Sequence, residues 1–205
     1  MTKITALILL FGLTLNVGAE EGNKTLKDVF KADWLIGSWA RENGSTVTYG
    51  WKIKDVLMYK ESKSSEGKVY SFSLISLGED KKTVHYHSFH NNGYVSIGEL
   101  SSMGKKVLRT AKWTQKKLTS KQIASRVENY VANKVAAGEV DKDGIAALKK
   151  ERTQVLKDRK TSGTNAYIWE LTDSDTMVST SVFKNESGNY VEGEDSWGEI
   201  STRVK

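Results

Sequence analysis

All three histidines of the 205-residue chain fall within six residues: His85, His87 and His90, in the run KTVHYHSFHNNG from Lys82 to Gly93. Imidazoles at that density could ligate a metal ion or shuttle protons near neutral pH. His85 and His87 stand at i and i+2, so on a strand they share one face and could reach one ion. His90 has the opposite parity and opens a turn. A tetrahedral site needs more ligands than these. The chain has no cysteine, and nothing in the sequence places Glu61, Glu99 or Glu170 beside the imidazoles. We therefore assign no metal and no cofactor, a haem on one histidine included. The four acids of EGEDSWGE, Glu192 to Glu199, lack the spacing of a calcium loop and read as a solvated turn. No G-x-S-x-G elbow, phosphate loop or dinucleotide fingerprint is present, so no catalytic residue is assigned.

The elements that must position these residues follow from periodicity. Val47, Tyr49, Trp51 and Ile53 alternate with polar or small residues, the pattern of a half-buried strand. Leu57–Ser62, Val69–Leu77, Thr83–Phe89, Tyr94–Leu100 and Val107–Trp113 continue the series, separated by turns rich in Gly, Asn and Ser. With no proline in the chain, such residues must make the turns. Strand periodicity returns at Ala166–Leu171, Thr176–Phe183 and Asn189–Val204. Before the strands, Thr25–Ile36 has helical spacing, with Gly37 as its stop. Between them, residues 119–160 read as an inserted α-hairpin: Ile123, Val127, Tyr130, Val131 and Val135 form one stripe, and Ile145, Leu148, Val155 and Leu156 a sparser one. Residues 105–160 carry sixteen Lys or Arg against six Asp or Glu. That basic excess keeps a helix face solvated and could also dock an acidic partner; no nucleic-acid recognition motif accompanies it.

Residues 1–19, MTKITALILLFGLTLNVGA, have the n-region, short apolar h-region and small-residue cleavage site of a secretory signal peptide. The expected product is one domain over residues 20–205, exported to the periplasm or beyond, with no transmembrane segment after cleavage.

The segment DWLIGSWARENG, Asp33 to Gly44, then the strand of Trp51, then HSFHNNGYVSIGEL (His87–Leu100) and DTMVSTSVFKNESGN (Asp175–Asn189), occur in an order that resembles exported bacterial lipocalin-like (calycin-type) domains of unknown function. The resemblance covers about residues 30–113 and 164–204. Leu100 stands where a Trp is common, and the hairpin is longer than a typical loop there. The resemblance implies a mainly β fold: an antiparallel up-and-down barrel of about 8–10 strands, with a short N-terminal helix and the inserted hairpin. It gives Gly37 and Trp39 a structural role at the closed base. It also implies a central cavity but no particular ligand; we expect a small apolar or amphipathic molecule there, bound without turnover. Candidate ligand-binding residues are Tyr49, Trp51, Tyr70, Phe72, His85, His87 and Trp113. Tyr86 or Phe89, and Trp169, are further aromatic candidates. Which parity of residues 84–89 points inward stays open: if odd, His85 and His87 enter the pocket; if even, Tyr86 does. Two alternatives remain: an enzyme with His85 or His87 as acid–base, and an interaction protein docking through the hairpin.

Overall fold

The computed structural model describes residues 24–194 and 196–205; residues 1–19, the expected signal peptide, lie outside them. Helix α1, Leu26–Phe30, is opened by a capping box in which Thr25 and Asp28 exchange hydrogen bonds. Helical spacing extends to Ile36, but the helix stops at Phe30. Lys31 takes a left-handed conformation (φ 48°), and a separate 3-10 turn follows at Asp33–Leu35. The break lets Phe30 and Leu35 both reach the core.

Eleven strands follow: β1 Gly37–Arg41, β2 Thr46–Ile53, β3 Leu57–Lys63, β4 Val69–Leu77, β5 Val84–His90, β6 Val95–Met103, β7 Lys106–Thr114, β8 Ser162–Leu171, β9 Thr176–Lys184, β10 Tyr190–Val191 and β11 Gly198–Arg203. Each of β1 to β9 pairs antiparallel with the next, β9 pairs with β11, and β11 closes on β1. The result is a closed ten-strand barrel, with β10 as a short flap on β9. Closure removes the free sheet edges. The strand missing from the sequence reading is β1. It is only five residues long, and its alternation rests on the single buried Trp39.

The barrel has an apolar base and a polar upper half. Leu26, Phe30 and Leu35 close the base beneath Trp39, Val47, Met58, Ile75, Val84, Leu100 and Val107, all buried. Trp39 is fully buried and donates its indole N–H to the Leu35 carbonyl at 2.8 Å. The Arg203 guanidinium lies 4.3 Å over the Trp39 ring and donates to the carbonyls of Ile36 (2.8 Å) and Trp34 (2.9 Å). Gly37, at φ 126°, has no side chain because a Cβ there would meet Arg203 Nη1 at 2.9 Å. The structural roles of Gly37 and Trp39 thus converge on one cation–π plug, to which Arg203 is the third member.

The insertion forms helices α2, Ser120–Ala136, and α3, Ile145–Lys157. Val127, Val131 and Leu156 make a small core of their own, ringed by Leu118, Ile123, Tyr130, Ile145 and Leu148. None of these belongs to the barrel core. At the hairpin's root Gln115 N–H donates to the Thr161 carbonyl at 2.8 Å, continuing the ladder between β7 and β8. Replacing residues 116–160 with a short Gly-containing turn should therefore leave the barrel folded. Circular dichroism should lose its helical signal while near-ultraviolet aromatic bands persist; loss of both would show that the barrel depends on the hairpin.

Candidate functional site

Parity along the strands decides which side chains meet inside. On β5, Val84, Tyr86 and Ser88 are buried, whereas His87 and Phe89 are exposed. The even-numbered face points inward. His85 and His87 consequently stand outside, their rings 6.4 Å apart and edge to face, and an acid–base role within the cavity is not open to them. His90, set aside in the sequence for its parity, is the histidine that lines the cavity.

The same rule sorts the other candidates. Tyr49 points inward and is buried, its ring edge-on to Trp169 at 5.9 Å. Trp51 points the same way but packs lower, against the apolar base. Trp113 stacks on Tyr94 at 5.7 Å near the rim and is not part of the cavity lining itself. Phe72 faces outward, stacked on Tyr59 at 6.1 Å, and so is not a lumen residue. Tyr70 is a neighbour of Phe72 and also started on the outer parity. A register shift between Ser62 and Lys63 against β4 adds one residue there, and Tyr70 reaches the lumen, where Arg41 donates to its hydroxyl at 3.0 Å.

The cavity occupies the upper half of the barrel and measures about 310 Å³. That is the liquid volume of about ten waters, at the small end of ligand pockets. Its mouth lies between Asn92 and Trp197, both exposed. Aromatic rings make much of the wall: Tyr49, Tyr86, Tyr94, Tyr167 and Trp169. Three buried serines, Ser62, Ser71 and Ser201, also line the cavity. Just beyond it, Ser73 bonds the Tyr86 hydroxyl at 3.1 Å and donates to Ser88 at 3.0 Å.

Three cations reach into this space. Arg41, on β1, pairs with Glu199 on β11 at 3.1 Å. Arg109, on β7, is 8% exposed; it donates to Ser96 Oγ at 2.8 Å and stacks between the rings of Tyr86 (4.8 Å) and Tyr167 (5.1 Å). Its Nε is buried with no hydrogen-bond partner among the described residues. Lys60, on β3, sets its ammonium over the rings of Trp169 (5.3 Å) and Tyr49 (5.9 Å). Among the described residues neither Arg109 nor Lys60 forms an ion pair with a carboxylate.

Ionisation in the cavity follows from this crowd. Burial lowers the Lys60 pKa, with Arg109 and Arg41 adding to the effect and Tyr86 opposing it. Burial alone would raise Tyr86, but Lys60, Arg109 and the hydroxyls of Ser73 and Ser88 outweigh it and bring the phenol down to about 8. Burial raises Tyr49 and Tyr167 instead, because the nearby cations compensate less there. Burial, Lys60 and Arg109 all lower His90, so its imidazole favours the neutral form. Among the described residues no group of three or more His, Cys, Asp or Glu side chains could share a metal ion.

A second concavity of about 730 Å³ lies on the outer wall, lined by His85, Ile97, Glu99, Thr110, Lys112 and Val182 among others. It is larger, but no cation is buried in it without a partner, and it is a groove over the sheet rather than a lumen.

Fold and site together define a closed antiparallel ten-strand β-barrel with a cationic, tyrosine- and serine-lined cavity above a solid apolar base. No family model matches the chain, and no curated protein matches it. Among solved structures it is similar to the crystal structure of Rv2717c from M. tuberculosis, at 10% identity and a TM-score of 0.40, covering 84% of this chain and 94% of that one.

Proposed function

We propose that this protein is a lipocalin-like binding protein that holds one small amphipathic molecule in the upper half of the barrel and does not turn it over. The observation that carries the reading is the division of the lumen. The base is filled by Trp39, Met58 and Ile75, while the upper half keeps an accessible space of about 310 Å³. Aromatic faces there suit an apolar body, and hydroxyls, amide and cations suit a polar head. A wholly apolar ligand would bury these polar groups without partners, which is costly, so the amphipathic half of the original expectation is the favoured one. The N-terminal pattern of lysine, apolar run and small residues supports export of the carrier. Basic residues over 105–160 support a separate surface role for the hairpin toward an acidic partner.

Tryptophan emission tests the binding reading, because Trp169 and Trp197 line the cavity. Titration with a panel of small amphipaths should give a saturable change for at least one. Ser179→Phe, which fills the lumen from a lining position, should abolish it. A flat response across the panel counts against a binding cavity, and a response that survives Ser179→Phe places the ligand elsewhere.

A further inference from the structure

The proposed binding function leaves the polar head of the ligand unspecified, and the charge balance of the lumen supplies it. An unpaired buried cation is expensive, and the usual resolutions are a carboxylate partner or loss of the charge. Arg41 has the first, in Glu199. Arg109 has neither: a guanidinium stays protonated, it is more than nine-tenths buried, and its Nε has no partner among the described residues. Lys60 projects its ammonium into the same space, above Tyr49 and Trp169. Both cations act on Tyr86, whose hydroxyl meets Ser73. We propose that Arg109 and Lys60 form an oxyanion-binding centre, where a carboxylate or phosphate ester of the ligand supplies the missing counter-charge and Tyr86 contributes a hydroxyl donor. This rests on the cavity being the binding site.

The centre contains its own competitor. Tyr86 is faced by Tyr49 from β2, Lys60 from β3, Ser73 from β4, Ser88 and His90 on its own strand, Arg109 from β7, and Tyr167 and Trp169 from β8; Arg41 and Glu199 stand on β1 and β11 in the same lumen. Glu199 is taken up by Arg41. The Tyr86 phenolate is thus the group that can offset one of these two positive charges when no ligand is present. A bound oxyanion offsets the same cations and repels the phenolate, so oxyanion binding raises the pH at which Tyr86 loses its proton.

Three probes with one body separate the possibilities: 4-phenylbutyrate, 4-phenylbutyl phosphate and the neutral 4-phenylbutan-1-ol, measured by calorimetry at pH 7. At least one anion should bind roughly tenfold to hundredfold more tightly than the alcohol, the scale of hydrogen bonds to charged groups. The tighter anion identifies the head as carboxylate or phosphate. Lys60→Met and Arg109→Gln should each reduce the ratio of anion to alcohol affinity. On the unmodified protein, tyrosinate absorbance should show one phenol titrating near pH 8, displaced upward by the anion. Equal binding of alcohol and anions, or no displacement of the phenol, overturns the oxyanion centre while leaving the cavity reading intact. Binding of none of the three overturns the cavity reading, and the centre with it.

Discussion

Trp39→Ala will destabilise the barrel by about 3–5 kcal/mol, the usual cost of emptying a large buried aromatic site. Trp39 is fully buried, donates to Leu35 and carries Arg203 over its ring. Its loss opens a void between the base helix and the strands, strips the Leu35 carbonyl of a donor and leaves the Arg203 guanidinium above an empty space. Net stabilities of single domains are about 5–15 kcal/mol, so the change removes a large share of the total. The thermal midpoint should fall by roughly 10 °C or more, or the protein should fail to accumulate. Trp197→Ala is the comparison. That ring is half exposed at the mouth, and its removal should cost little. Equal losses from the two variants would contradict the placement of the core.

The second large effect is alkaline stabilisation by Tyr86. Its pKa is about 8 in the folded chain against about 10 unfolded. Burial opposes that shift; Lys60, Arg109, Ser73 and Ser88 produce it. The unfolded phenol binds its proton more tightly, so folding gains stability as pH rises between about 8 and about 10. The gain is absent below that window and complete above it, and two pKa units bound it at about 3 kcal/mol. Lys60, with a lowered pKa, also favours the fold as pH rises, while the raised Tyr49 and Tyr167 oppose it beyond pH 10. The clean readout is therefore the difference between the parent and Tyr86→Phe in urea midpoints from pH 7 to 10. That difference should grow in favour of the parent across the window. A difference independent of pH would mean that Tyr86 does not ionise in the barrel.

Most of the architecture was legible because strand periodicity is a local property. Val69–Leu77 has its sequence-read limits, and α2 ends where Gly138 follows with positive φ. The lumen was harder to read because its polarity is inverted. In YSFSLIS the natural assumption puts Phe72 and Leu74 inside and the serines out. The barrel does the reverse with Ser71 and Ser73, covering Phe72 with Tyr59 on the outer wall. A β-strand offers no local sign of which face is the core when both alternate sets could be buried. The same ambiguity left the inward face of residues 84–89 open, with His85 and His87 as candidates; the condition under which Tyr86 takes that place is the one the fold satisfies.

Arg109, Lys60 and Arg203 were missed for a related reason. Each is one basic residue among 31 Lys and Arg, and only the closed register brings them inside. One signal was available: serine repeated at period two in Ser71 and Ser73, with Ser88 and Ser96 on the next strands, marks a polar stripe along neighbouring strands. Tyr70 was named together with Phe72, whose parity it shares in the sequence; the register shift in the pairing of β3 with β4, which the sequence does not show, brings Tyr70 alone to the lumen.

The central claim is that the upper lumen, not the outer groove, is the place where a ligand sits. Isotope-filtered NMR on the protein with bound 4-phenylbutyrate addresses it directly. The account predicts nuclear Overhauser contacts from the ligand's ring to the side-chain protons of Trp169 and Tyr167, and none to Ile97. Contacts confined to Ile97, Thr110 and Val182 on the outer wall would contradict it.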